Sequence, residues 1–199
     1  MGFAMVKAEA EKGARSKNPD VIDLRMRGWS VLNTSFGRAP KEQRNAVTEA
    51  RILSDRALQI DPNDADSLAE SASTSLAEYF LGSGDPGTDY EAKVLGQADR
   101  ALAFAPDNVQ AYYVKADYLA LTRRPSEALG AADAGLAINP NYVPLFVPRI
   151  ASELSLGCFE EAKADAERAI RKPAGPPRRH FSRPARRRRA QSRPRRIRD

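Results

Sequence analysis

Two side chains in this sequence have the chemistry of a nucleophile and its base: the one cysteine, Cys158, and the one histidine, His180. Thiolate attack needs the imidazole held within hydrogen-bond reach of the sulfur. Here the histidine sits in PPRRHFSRP, which has no apolar face to dock it, and Cys158 falls in LGCFEEA, which reads as a turn between two helices. Cys158 is therefore read as a turn residue. A zinc site needs clustered Cys and His ligands, and this pair supplies no cluster. LGSGDPGTDY, from Leu81, is rich in glycine. It lacks the Gly-Lys-Ser/Thr ending of a phosphate-cradling loop, and no strand precedes it. Asp61, Asp64, Asp66, Glu160, Glu161 and Asp165 fit helix caps and solvated faces. No two of them have a reason to be buried together, so none is nominated as a general acid or base. The expectation is a chain with no catalytic residue, no metal and no cofactor.

The elements that would position any site are helical. The hydrophobic fraction is 42%, near that of a globular protein, and Leu and Ala dominate it with little alternation. No apolar run approaches the roughly 20 residues that span a bilayer. The first residues, MGFAMVKAEAEKGARSK, lack a secretory pattern. One cysteine leaves no internal disulfide and suits a reducing compartment. These features together predict a cytoplasmic protein. Charge divides the chain sharply. Of the 32 Lys and Arg and the 26 Asp and Glu, 13 and one respectively lie in 171–199, so that stretch carries +12 and residues 1–170 carry −6. An acidic body with a basic tail calls for two separate explanations.

The body repeats. RALQIDPND from Arg56, RALAFAPDN from Arg100 and AGLAINPNY from Ala134 align, and ERAIRKPAG from Glu167 matches at its start. Ala57, Ala101, Gly135 and Ala169 are spaced 44, 34 and 34; Pro62, Pro106 and Pro140 are spaced 44 and 34. Gly28, Ala72, Ala116 and Ile150 are spaced 44, 44 and 34. A period of 34 with ten extra residues in each of the first two units accounts for all three series. The extra residues are expected as insertions between the two helices of a unit, around NTSFGRAPKEQRN and LGSGDPGTDY, emerging on one side of a stack. Within a unit, small residues mark where helices cross closely, as with Ala128, Ala132 and Gly135 on one helical face. Proline then ends the second helix, and the Asp and Asn after it can cap the next. A lone hairpin of this kind cannot bury its apolar face, so units must stack.

The segments 109–140 and 143–173 carry Tyr112, Ala116, Leu119, Ala128, Ala132 and Pro140, then Phe146, Ala162, Ala166 and Ala169. In these residues the chain resembles the tetratricopeptide repeat (TPR) family, over roughly 18–172. Gly135 stands for the usual alanine and Ile150 for the usual small residue. Pro144 is tolerable in a first turn, and Pro148 predicts a kink or a later helix start. The resemblance implies an all-α fold, an α-solenoid of about four antiparallel helix pairs. A lead-in at 1–17 would precede it and a disordered tail at 173–199 would follow. It implies a scaffold that binds a protein or peptide in a concave groove lined by the first helices. Carried over residue by residue, the groove candidates are Arg25, Trp29, Asp66, Ala69, Ser73, Gln110, Tyr113, Asp117, Val147 and Ala151. Trp29 is expected mainly as core packing, while Tyr113 is equally suited to contact or packing. Tyr113 and Asp117 stand where a clamp for a C-terminal carboxylate would need Lys and Asn, which argues against that ligand. DLRMRGWSVLN followed by ALQIDPNDADSLA is also similar, more loosely, to TPR regions of bacterial multidomain regulators that carry an adenylate cyclase or a winged-helix domain. That likeness implies a detached or truncated regulatory part.

From Pro173 the chain is PAGPPRRHFSRPARRRRAQSRPRRIRD, almost without large apolar residues. Three readings stand. Arg186, Arg187, Arg188 and Arg189 could neutralise phosphates, so nucleic acid would engage only this tail. The tail could equally be solvated and without a partner. The third reading is preferred: the array stops where another unit should begin, with no polar capping helix, and the composition jumps as a frame change in a GC-rich gene would make it. Such an uncapped end is also open to self-association. Reading the coding DNA tests the frame change: one alternative frame should continue the 34-residue pattern past Ala169, and its absence from both refutes it.

Overall fold

The computed structural model describes residues 16–170. Most of the lead-in, and the whole basic tail with His180 and Arg186–Arg189, lie outside the described residues. Eight α-helices follow one another: α1 Pro19–Thr34, α2 Pro40–Ile60, α3 Ala65–Leu81, α4 Tyr90–Phe104, α5 Val109–Leu121, α6 Pro125–Ile138, α7 Phe146–Leu156 and α8 Phe159–Ile170. A 3-10 turn, Val143–Leu145, leads into α7. No strand occurs among the described residues. Successive helices pair antiparallel, and each first helix also packs on the first helix of the next pair. The architecture is an all-α solenoid of four helical hairpins.

One local device sets the repeat. At the end of α2, α4 and α6 the small residues Ala57, Ala101 and Gly135 each accept a backbone hydrogen bond from the residue four later. Asp61, Ala105 and Asn139 donate at 2.9, 2.8 and 3.0 Å. These three caps share one conformation, with φ −134°, −135° and −131°. Proline follows in each, where its fixed φ favours a turn and its missing N–H stops the helix. Two residues further on, the chain reaches the start of the next helix. Asp64 accepts from the Ser67 N–H at 2.9 Å, and Asn108 accepts from the Ala111 N–H at 3.0 Å. Each side chain satisfies a donor that the first turn of a helix leaves orphaned.

The third turn ends on Tyr142, which provides no such cap. Pro144 then falls in the 3-10 turn and Pro148 is the third residue of α7. The later helix start expected from Pro148 is what occurs, with no proline in a helix interior to kink it.

The extra residues of the first two units are distributed differently from the expected insertions. In the second unit a loop at 82–89 does separate α3 from α4. In the first, only 35–39 lie between helices, because Pro40 occupies the first position of α2 and KEQRNAVTEARILSDRALQ continues as helix. Proline's φ is preset for that position, and the residues that follow are mostly good helix formers. Helix α2 thereby reaches 21 residues against 14 for α6. The added turns bring their own small core, Leu32, Val47 and Ala50 against Ala77 and Leu81.

Two larger cores lie between units. Leu68, Ala69, Ala72 and Leu76 meet Val94, Ala98, Ala101, Ala111, Val114 and Tyr118; Ala116, Ala131, Ala132 and Leu136 meet Leu145 and Phe146. Gly135 is the tightest point of the second. A Cβ there would lie 2.5 Å from Leu145 Cδ1 and 3.0 Å from Tyr112 Cβ. That contact explains why glycine replaces alanine in this unit. Gly135→Ala is expected to destabilise by about 1–3 kcal/mol through overpacking. Gly130→Ala on the same helix, where a Cβ meets nothing within 4 Å, is expected to stabilise by about 0.5–1 kcal/mol. Urea unfolding of the two variants checks both signs.

Candidate binding face of the first helices

The predicted groove residues all lie on α1, α3, α5 and α7, and the structure ties most of them to one another. Arg25 on α1 forms an ion pair with Asp66 on α3. Asn108, while capping α5, donates from Nδ2 to Asp66 Oδ1 at 3.0 Å. Gln110 on α5 donates from Nε2 to Ser73 Oγ on α3 at 2.8 Å. The Tyr142 hydroxyl in turn donates to Gln110 Oε1. Two lines of polar contacts therefore cross from unit to unit. Tyr113 donates to Asp117 Oδ2 one turn along at 3.2 Å, and its ring meets Tyr142 edge-on with centroids 6.5 Å apart. Burial, then the charge of Asp117, pushes the Tyr113 hydroxyl far above the ordinary tyrosine range. Burial likewise raises the Asp117 carboxyl, against the hydrogen bond from Tyr113, which lowers it.

Three of the sequence expectations change here. Ala69 is buried within the core between the second and third units, and Ser73 is buried beside it, its hydroxyl donating to the Ala69 carbonyl at 2.9 Å. Neither offers a surface to a ligand, because the following unit covers their side of α3. Trp29, expected as core packing, is 49% exposed. Its counterparts in register are buried Ser73, half-buried Asp117 and exposed Ala151, so this position is not a core position throughout the stack. Val147 and Ala151 are exposed on α7. Tyr113, Asp117, Gln110, Arg25 and Asp66 are half-buried.

Sequence reasoning missed the ion-pair rungs. Lys115 on α5 meets Asp99 on α4 at 2.6 Å, and Arg149 on α7 meets Asp133 on α6 at 2.8 Å. Both pairs repeat at the 34-residue spacing, so the signal was present in the series Asp55, Asp99, Asp133. Arg149 also reaches Glu153 at 3.1 Å and Asp165 at 2.5 Å, joining α6, α7 and α8. Cys158 lies in the turn between α7 and α8 as a free cysteine, its amide donating to the Glu153 carbonyl at 2.9 Å. Among the described residues no group of His, Cys, Asp and Glu is placed to hold a metal ion, and no helix is long and apolar enough to cross a membrane.

No protein-family model and no curated protein matches the chain. Among solved structures it is similar to the crystal structure of a thermophilic TPR protein from Thermus thermophilus, with a TM-score of 0.54 and 23% identity over 72% of this chain and 73% of that one. The fold this likeness defines is a TPR-like α-solenoid. The similarity extends across most of both chains, so it describes the stack as a whole rather than one hairpin.

Glu70 is the buried group least accounted for. It sits on α3 against Gly28 of α1, where Val114 sits one unit later, and its Oε1 has no hydrogen-bond partner. Burial raises its carboxyl from 4.5 to about 7, with Arg25 offsetting part of the rise. The folded state therefore holds this proton more tightly than the unfolded chain. Its contribution is full below pH 4.5 and is lost as pH rises through about 7. Glu70→Gln is expected to remove that loss and to raise stability at pH 8 by on the order of 3 kcal/mol, with little change at pH 4. Urea midpoints of wild type and variant at the two pH values check it.

Proposed function

We propose that this chain is a non-catalytic scaffold that holds a protein or peptide segment across the faces of its first helices. The observation that carries the reading is the state of those faces. Tyr113 and Asp117 are fixed by their mutual hydrogen bond, and exposed Trp29 and Val147 stand toward the two ends. Side chains already held in place lose little freedom on binding, and an exposed tryptophan is a natural anchor. The ligand this suits is an extended segment with apolar residues toward its ends and a basic or hydroxyl group near Asp117. The structural likeness to a TPR protein supports the fold on which the reading rests. The single cysteine favours a reducing, cytoplasmic setting. Within this reading, the resemblance of DLRMRGWSVLN and ALQIDPNDADSLA to TPR regions of bacterial signalling proteins favours a detached regulatory part.

A second reading has its own observation, the +12 carried by 171–199. In it the protein associates with nucleic acid through Arg186–Arg189, without reading sequence. One comparison separates the two. The full chain, a Trp29→Ala/Asp117→Lys variant and a variant with Arg186–Arg189 replaced by Gln are each used as bait. The scaffold reading expects a protein partner bound by the wild type and the tail variant, and weakened about tenfold or more by the helix-face variant. Binding that falls steeply with salt, survives Trp29→Ala/Asp117→Lys and disappears with the arginines establishes the second reading instead.

A further inference from the structure

The contact between successive units is written in a register that can be followed past both ends of the stack. On the first helices, Glu70, Val114 and Pro148 share one position, and all three are buried by the preceding unit. Thr74, Tyr118 and Ser152 share the next such position and are also buried. The corresponding residues of α1 are Met26, 54% exposed, and Ser30, exposed. On the receiving side, Leu136 of α6 is buried against Leu145 and Phe146 of the following unit, and Leu76 of α3 against Val114 and Tyr118. Their counterparts in the last unit are Ile170, 81% exposed, and Leu154, 50% exposed. The charged rung continues in the same way. Lys115 pairs with Asp99 and Arg149 with Asp133. The same register position on α1, two units before Lys115, holds Arg27, largely exposed at 3.6 Å from Asp23, while α3 between them carries uncharged Ser71 there. One unit after Asp133, on α8, stands exposed Glu167.

The two open faces are thus the two halves of the contact already used between units. We propose that they bind each other: α1 of a second copy of this chain stacks on α7 and α8, head to tail. Met26 then covers Leu154 as Val114 covers Leu76, Leu24 approaches Ile170 as Phe146 approaches Leu136, and Arg27 meets Glu167 as Arg149 meets Asp133. The apolar residues supply the affinity and the Arg27–Glu167 pair fixes the register, since an exposed ion pair alone contributes little. A contact of this kind joins two different surfaces, so it leaves a free face of each type and propagates rather than closing at two copies. It is independent of the groove residues Trp29 and Asp117.

Sedimentation velocity of the full chain from about 1 to about 500 µM tests the proposal. Mass should rise with concentration beyond two copies. Met26→Asp and Ile170→Asp, both at exposed positions, should each weaken association about tenfold or more. Mixed together, the two variants should form a one-to-one dimer, because each keeps the face the other lacks. Arg27→Glu and Glu167→Arg should each weaken assembly, and the double reversal should restore it. Unchanged circular dichroism shows that the variants remain folded. A wild-type chain that stays monomeric throughout overturns the proposal; in that event the faces are covered by other parts of the chain or face solvent. A species that stops at two copies, or variants that fail to complement, also overturns it by showing a symmetric contact.

Discussion

A pair of antiparallel helices buries the surface between its members and leaves the flanks wet until another pair arrives. That is the constraint from which the rest of this molecule follows. For the next pair to arrive closely, the end of each second helix must be thin, and Ala57, Ala101 and Gly135 make it so. The same residues offer the carbonyl that closes the helix, through the amides of Asp61, Ala105 and Asn139. One position thereby does two tasks, allowing approach and ending the helix, and the three caps agree to within a few degrees in φ. The approach is closest at Gly135, where Leu145 fills the space a methyl group would need.

The polar contacts are subordinate to this packing. Arg25 with Asp66, Gln110 with Ser73, and Lys115 with Asp99 all join first helices to neighbouring ones. None of these groups would meet if the apolar cores set a different offset between units. Once they meet, they orient the half-buried face on which Tyr113 and Asp117 stand. Glu70 marks the exception. At the place where Val114 packs one unit later, a carboxyl is held without a full set of partners, so the first interface is chemically unlike the second.

How much of this was legible in the sequence depended on whether the cause was local. The proline turns, the Asp64 and Asn108 caps and the delayed start of α7 rest on residues within a few positions of one another, and the pattern announced them. The placement of the first unit's extra residues was misjudged because Gly37, Arg38, Ala39 and Pro40 resemble a loop, while Pro40 in fact opens a helix. Ala69 was misplaced for a different reason. Burial on a first helix is decided by whether another unit lies on that side, and family register alone carries no such information. The rungs between Asp99 and Lys115 and between Asp133 and Arg149 were visible as spacings, yet nothing in the spacing identified the partner across the helix boundary.

The long α2 gives the stack unequal height. At 1.5 Å per residue, its 21 residues reach about 31 Å and the 14 of α6 about 21 Å. Because the proline ends of the hairpins are aligned, the surplus stands at the opposite end, where Leu32, Val47, Ala50, Ala77 and Leu81 close over one another. That patch joins only the first two hairpins. In a linear array each unit is held by its neighbours alone, so the molecule has a thick end that is doubly fastened and a thin end that is not. The first two hairpins therefore share a fastening that the last two lack.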